Sequence, residues 1–576
     1  MLRRISSGAV LAAAIVAQAG AQSASPAFSD QTATAGIGVI QIPGGYSAAS
    51  RMLAGGAVGD FNRDGWQDLY VIVGGTDPDR LYINNGDGTF TDEAAAWGIT
   101  GTRRSSGVAV GDYDNDGWLD IYVTCHGTTG WGPNENVLWR NNGDNTFTNT
   151  AAAAGVKTTS PITGDGFGAA FGDYDLDGDL DLAVTAWFTN SQGNRLFRNN
   201  GDGTFTDVTT SAILYDMTPV RGFSPRFVDM DGDRYPELLW VGDFFTSKYL
   251  RNDANGKFTE MTAAAGVGLD SNGMGNTVGD YDNDGDLDWY VSSILEDGST
   301  FRFGNMLYMN QGGHSYVESG QSAGVDDGGW GWGVTSVDMN HDGLLDIVEV
   351  NGWQTGTEWL TELARLYMNN GDGTFTDEAL ASGFTHNGQG RGLVNMDYDN
   401  DGDQDLVVFC PQESVGLYRN DVSGPDANWI RIFFDTSAHA DIAPDGFQTG
   451  VTITTGGQSQ YRYMDGGCTY LATAELSVHA GLGAAATIDE ILVEWPNGRI
   501  NRLRNVAANQ TITIEPCLLD GDADGDGAVN FDDLNLILAN WGNAVEAWRN
   551  GDANGDGAVD FDDINLSLGA WGQTCP

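Results

Sequence analysis

Basic residues are scarce. Lys and Arg total 27 against 80 Asp and Glu in 576 residues, a formal net charge of −53. Binding a phosphate backbone needs a cationic surplus, so nucleic acid is excluded as a partner. The same deficit argues against anionic membrane surfaces. Beyond the N-terminus no stretch is continuously apolar for about 20 residues, so no membrane-inserted segment is read. Catalytic signatures are missing too. There is no His-Glu-x-x-His, and the six His are scattered. No catalytic residue is assigned. Hydrophobic residues make up 41% of the chain, which suffices for a core and excludes a disordered acidic tail.

The N-terminus carries Arg3 and Arg4, an apolar run from Ala9 to Ala17, then small residues at Ala17-Gln18-Ala19 or Ala19-Gly20-Ala21. That pattern predicts a secretory signal peptide over 1–21 and an extracellular, soluble protein. Export permits disulfides. The Cys number five, and Cys517 with Cys575 brackets the last segment, so these two are the expected pair. Cys125, Cys410 and Cys468 stay unassigned.

What the chain has in abundance is a repeat. A ten-residue acidic motif such as GDYDNDGWLD recurs seven times, with first loop acids Asp60, Asp112, Asp173, Asp229, Asp280, Asp338 and Asp397. Their spacings are 52, 61, 56, 51, 58 and 59 residues. A second motif follows each loop in sharper or blurred form, as in LYINNGDGTFTDEAAAWGI from Leu81. Each unit reads as four short strands with Asn-Gly or Asp-Gly hairpin turns. Four strands repeated radially predict a mainly β protein, a seven-bladed β-propeller over 27–425. A linear solenoid is the alternative. The seventh unit lacks its Thr-Phe-Thr-Asp strand, and Ala27-Phe28-Ser29-Asp30 near the N-terminus resembles it. Residues near 27–40 are therefore expected to complete the last blade, removing exposed edges.

The acidic loops place oxygen side chains at positions 1, 3, 5 and 9. The first four sets are Asp60, Asn62, Asp64, Asp68; Asp112, Asp114, Asp116, Asp120; Asp173, Asp175, Asp177, Asp181; and Asp229, Asp231, Asp233, Glu237. The other three are Asp280, Asp282, Asp284, Asp288; Asp338, Asn340, Asp342, Asp346; and Asp397, Asp399, Asp401, Asp405. Hard cations take six to eight oxygens, and alternating residues of a tight turn can converge to supply them. No His or Cys joins the pattern, which disfavours zinc and copper. Ca2+ is the expected occupant. The loops at Asp60 and Asp338, where Asn replaces the second Asp, should be the weakest, and the loop ending in Pro236-Glu237 is atypical.

These residues resemble the FG-GAP/VCBS repeats of integrin-like propellers, over roughly 28–425. The resemblance implies structural ions bracing a turn between two strands. From Trp429 the pattern changes to alternating apolar residues and Gly turns, predicting a small β-domain over 429–515. Its Gly481-Leu-Gly483 and Val493-Glu-Trp-Pro-Asn-Gly498 resemble the ASPIC/UnbV module, although the Gly-Ala-Arg usual there is Gln448-Thr449-Gly450.

The tail, 517–576, has two twelve-residue loops of EF-hand form. Their candidate ligands are Asp522, Asp524, Asp526, Asn530, Asp533 and Asp552, Asn554, Asp556, Asp560, Asp563. Helices are expected over Asp532–Trp541 and Asp562–Trp571. Two such loop-helix units resemble a type I dockerin, a small α domain. The resemblance implies a cohesin-like partner or cell-surface scaffold.

On the propeller face away from the metal loops, Trp131, Trp187, Trp353 and Arg391 are candidate ligand-binding residues, suited to polysaccharide or a partner protein. The reading is a secreted calcium-binding protein for binding or adhesion, without catalysis. The alternative is a polysaccharide-degrading lyase or glycoside hydrolase, which the dockerin resemblance alone suggests.

Overall fold

The computed structural model describes residues 24–41, 49–75, 77–126, 135–158, 166–189, 193–296, 298–300, 302–355, 359–545 and 547–575. The predicted signal peptide and Trp131 lie outside the described residues.

The protein is mainly β. The repeats form sheets of four antiparallel strands in sequence order, as in Gly56–Gly59, Asp68–Val71, Arg80–Asn84 and Phe90–Asp92. One sheet departs from that order: Leu393–Met396, Asp405–Val408 and Gly416–Asn420 are completed by Phe28–Asp30. Phe28 pairs with Asn420 and Asp30 with Tyr418. The alanine-rich tail of the second motif makes a one-turn helix, Ala151–Ala154 in the second repeat, ended by Gly155 at φ 82°. Glycine is suited to that left-handed position because it has no Cβ.

First strands of most neighbouring repeats pack side by side, and that of the first repeat also meets that of the seventh. Their approach is close enough to require glycine. A Cβ on Gly107 would lie 2.1 Å from the Phe167 carbonyl oxygen, and one on Gly168 2.1 Å from that of Phe223. Between the sheets the core is apolar and fully buried, with Leu69, Ile121, Leu182, Leu239, Trp289, Ile347 and Leu406 at 0% exposure.

The small β-domain joins a three-stranded sheet, Val478–Gly483, Asn428–Phe434 and Gln510–Ile514, to a four-stranded one. The latter is ordered Gln458–Tyr463, Gly450–Thr455, Thr487–Glu494, Ile500–Ala507. Its core holds Ile430, Ile432, Val451, Ile453, Ile491 and Trp495. This domain is no separate bead on a linker. Its segment Cys468–Thr473 enters the space enclosed by the first strands and bonds to them. Thr473 pairs with Ala57, and its Oγ1 donates to Val108 O (3.0 Å). Cys468 Sγ donates to Ala169 O (3.4 Å) and Thr469 Oγ1 to Leu393 O (2.8 Å). The Tyr470 ring packs on Phe223 and Trp332, with centroids 5.5 and 5.2 Å away. Nothing in the alternating pattern of that domain announced this plug.

The tail has helices Phe531–Ala539 and Phe561–Gly569, each ending two residues before the expected Trp. They close over Ala523, Ile537, Ala553 and Val559. Cys517 and Cys575 form a disulfide, while Cys125, Cys410 and Cys468 are free and buried. Among the described residues no helix is long and apolar enough to cross a membrane.

Candidate metal centres

Each acidic loop is a tight turn between the first and second strands of a sheet. In the second repeat Asp112 uses both carboxylate oxygens within the turn. Oδ1 accepts from the Asp116 N–H (3.1 Å) and Oδ2 from that of Gly117 (2.7 Å). Position 4 is left-handed at Asn115 (φ 56°), as is position 6 at Gly117 (φ 87°). Position 9, Asp120, reaches back to accept from Tyr113 N (3.2 Å) and across to Asn141 N (2.7 Å). The third repeat repeats this, with Asp181 accepting from Tyr174 N (3.0 Å) and Asn199 N (2.8 Å). Position 9 thus clasps the turn to the third strand. In the Glu237 loop glycine moves to position 4 and Arg234 takes the left-handed place at position 6, φ 78° and 79°.

These bonds leave oxygens facing one another. The carboxylates of Asp112, Asp114 and Asp120 converge within 4.8 Å, as do those of Asp173, Asp175 and Asp181 and those of Asp280, Asp282 and Asp288. In the fourth loop Asp229, Asp231 and Asp233 converge, and His314 joins Asp231 and Glu237. His314 was not foreseen, because it arrives from the next repeat. Burial raises the acids' pKa values first, and neighbouring carboxylates add to it. Asp112 is pushed to about 7, Asp173 and Asp288 to about 8, and Asp120 and Asp181 well above the usual range. At position 3, Asp114 Oδ1, Asp175 Oδ1 and Asp399 Oδ1 are buried without a hydrogen-bond donor. Lone pairs so placed, beside two further carboxylates, fit a hard cation.

Partners differ between loops. Arg140 pairs with Asp114 and Asp116, and Arg419 with Asp399 and Asp401. Asn62 Nδ2 donates to Asp64 Oδ2 (2.8 Å) and Asn340 Nδ2 to Asp342 Oδ2 (3.0 Å), so in these two loops an amide sits against the position-5 acid.

The sequence reading missed a second set of residues beside the loops. The Asn closing each third strand donates through Nδ2 to the loop of the preceding repeat. Asn141 reaches Phe61 O (2.9 Å), Asn199 reaches Tyr113 O (2.8 Å) and Asn252 reaches Tyr174 O (2.8 Å). Asn310 reaches Met230 O (2.9 Å), Asn369 Tyr281 O (2.8 Å) and Asn420 Met339 O (3.1 Å). Asn84 bonds Tyr398 O (2.8 Å), returning from the first repeat to the seventh. Recurrence of this Asn was the available signal, but the Asn-Gly step beside it reads as turn chemistry alone. Asn199 also donates to Leu180 O (3.0 Å) and accepts from Gly201 N (3.1 Å). Replacing Asn199 with Ala should therefore cost about 2–4 kcal/mol. The neighbouring exposed Asn200→Ala should change stability by less than about 1 kcal/mol. Urea unfolding midpoints of the two variants check this.

In the tail, Asp522 accepts from Gly525 N and Gly527 N (2.8 and 2.9 Å), and Asp552 does the same with Gly555 and Gly557 (both 2.8 Å). Asp533 and Asp563 are buried and accept from three backbone N–H groups each. Asn530 and Asp560 double as helix N-caps. Asp524, Asp526, Asn554 and Asp556 line the same turns. Of the apolar residues on the two helices, only Ile537 is fully enclosed. Phe531, Trp541, Phe561 and Trp571 stand 41–70% exposed, as two equivalent edge-to-face pairs.

The candidate aromatic face needs correction at Arg391. Its side chain is buried, stacked 4.1 Å from the Trp332 ring centre, with Nε donating to Arg51 O (2.8 Å). It braces the plug's surroundings and is not presented to solvent. Trp353 is half-buried between Trp330 and Trp332, and Trp187 donates to Asp243 Oδ2 (2.9 Å). Cys410 Sγ lies 3.6 Å from His386 Nε2, but both are buried. Burial raises the thiol's pKa and lowers the imidazole's to about 4, the opposite of an activated pair.

The ASPIC and UnbV family model matches residues 442–517. Cartilage acidic protein 1 of Mus musculus is 26% identical over 512 residues, covering 73% of this chain and 75% of that protein. The Homo sapiens protein is 26% identical over 515 residues, with 73% of each covered. Among solved structures, the Niastella koreensis GH74 enzyme covers 80% of this chain and 68% of that one at 13% identity and a TM-score of 0.37. The Dos1 propeller covers 66% of this chain and 94% of that one at 11% identity and a TM-score of 0.33. No argument rests on likenesses that distant. The FG-GAP-like repeat model matches residues 57–123, 128–184, 185–240, 229–291 and 359–443, more than half of the sequence, and the chain belongs to that family.

Proposed function

We propose that this is a secreted, calcium-loaded binding protein without catalytic activity, built on a closed seven-bladed propeller. The observation that carries the reading is the set of buried, donorless oxygens on Asp114, Asp175 and Asp399, the first two converging with further acids and the third beside Asp401 and Asp405. The Asn bonds running from each repeat to the one before support closure. With loops filled, Ca2+ would neutralise clustered charge and hold first and second strands in register. The ASPIC/UnbV plug would lock the ring, leaving the opposite rim and the tail as surfaces for partners. The duplicated tail loops and their symmetric exposed aromatic pairs support a dockerin-like tether to a cohesin-like or cell-surface scaffold.

Equilibrium dialysis against ⁴⁵Ca2+ tests the reading. Several ions per chain should bind with dissociation constants at or below about 10⁻³ M, the range of extracellular modules. Asp175→Asn should remove one of them. Binding of none at that concentration would end the proposal.

A further inference from the structure

We infer that a cleft between the ASPIC/UnbV module and the fourth and fifth acidic loops binds a small neutral polyhydroxylated ligand of one or two sugar rings. It shares Asp229, Asp280 and Asp284 with those two loops and is apart from the aromatic face. Its volume is ≈ 360 Å³, and its walls include Gln448, Thr452, Tyr461, Glu494, Pro496 and Arg549. Gln448 is the key residue. It is only 5% exposed, yet neither Oε1 nor Nε2 has a hydrogen-bond partner. Its backbone is left-handed, φ 65°, a conformation that favours glycine. Its N–H is held by Met464 O (2.6 Å). A buried primary amide with both ends unused, on a strained turn, is a pattern of functional sites.

The chemistry of the missing partner follows from the amide. A metal ion would satisfy Oε1 and leave the N–H donors orphaned. An anion would satisfy Nε2 alone. Adjacent hydroxyls, each both donor and acceptor, satisfy both ends at once. Asp229, Asp280 and Asp284 on the same wall disfavour an anion, and Arg549 Nη2 is already paired with Glu494 Oε1 (2.5 Å). Tyr461 and Pro496 offer apolar surface for C–H groups. The volume sits at the lower end of the range for ligand pockets. The space depends on residue 450 being glycine, since a Cβ there would come within 2.5 Å of the Tyr461 hydroxyl.

The full-length protein in calcium is titrated with neutral mono- and disaccharides, glucose, galactose, mannose, xylose, cellobiose, maltose and lactose, by saturation-transfer NMR. At least one should show saturable binding. Gln448→Gly should weaken it at least tenfold while leaving the melting temperature unchanged or higher, because glycine adopts that φ freely. Gly450→Ala, which fills the cleft without touching the amide, should weaken it too. Saturable binding of no sugar in the panel overturns the inference, as does binding that Gln448→Gly leaves intact. Neither result bears on calcium binding, which is read separately by dialysis.

Discussion

Stripping divalent ions with EDTA should lower the melting temperature by at least about 20 °C at neutral pH, and returning millimolar Ca2+ should restore it. A site held at a hundredfold over its dissociation constant adds about 2.7 kcal/mol to the folded state. Seven such loops would contribute roughly 19 kcal/mol, more than the whole stability of many domains. The metal-free protein should also respond to pH in a diagnostic direction. Asp68 and Asp173 have folded pKa values raised to about 8, and Asp112 to about 7, mainly by burial. An unfolded Asp titrates near its ordinary value, so between the two the folded state binds more protons. Stability therefore falls as pH climbs from about 4 through about 8. In EDTA the melting temperature should drop across that window, whereas with calcium the same acids are held as carboxylates and the slope should flatten. Calorimetric scans at pH 5 and pH 8, with and without chelator, measure both effects. A chelated protein that melts at the same temperature as the loaded one would contradict the role given to the loops.

The loops were legible in the sequence because their geometry is local. Positions 1, 3 and 9 lie within nine residues, and a turn with left-handed places at 4 and 6 brings them together whatever the rest of the chain does. The alternation in Leu119-Asp-Ile-Tyr-Val123 and the recurring Thr-Phe-Thr-Asp likewise mark strands that the structure contains. What was illegible depends on distance. Asn199 bonds Tyr113, 86 residues away, and Tyr470 donates to Met52 O across 418. No periodicity encodes such partners. Arg391 misled for a related reason: aromatic and Arg residues in connecting loops suit an open binding face and a buried cation–π stack equally well. Residue type alone does not choose between them. The Glu237 loop shows the converse, since exchanging the glycine between positions 4 and 6 alters the motif without altering the backbone.

Replacing Arg431 with Ala should cost about 3–5 kcal/mol, the largest loss expected from any single substitution between the ASPIC/UnbV module and the repeats. The guanidinium is 1% exposed and forks onto Glu475, with Nε–Oε1 2.6 Å and Nη2–Oε2 2.7 Å. Its Nη1 donates to Asp397 Oδ2 (3.1 Å) and to Asn400 Oδ1 (2.7 Å) in the seventh acidic loop. Truncation leaves two buried carboxylates without a counter-charge, and Glu475 Oε2 is itself fixed by Asp397 N (3.0 Å). Lysine should recover only part of the loss, because a point charge cannot fork onto a carboxylate. Arg431→Met with Glu475→Gln should lose less than Arg431→Ala alone, since the burden is the stranded charge rather than the missing contact. The loop would tie this pair to a bound metal ion. Asp397 is position 1 of its turn, so Arg431 and a Ca2+ ion there would compete for the same carboxylate field. The cost of Arg431→Ala should accordingly be greatest in EDTA and shrink as calcium rises and takes over neutralisation of Asp397. Urea unfolding at a series of free calcium concentrations resolves this. A loss that stays constant across the series would separate the interface from the metal, and a loss below about 1 kcal/mol would mean that the bonds from Arg431 and Glu475 to the seventh loop do not hold the module to the repeats.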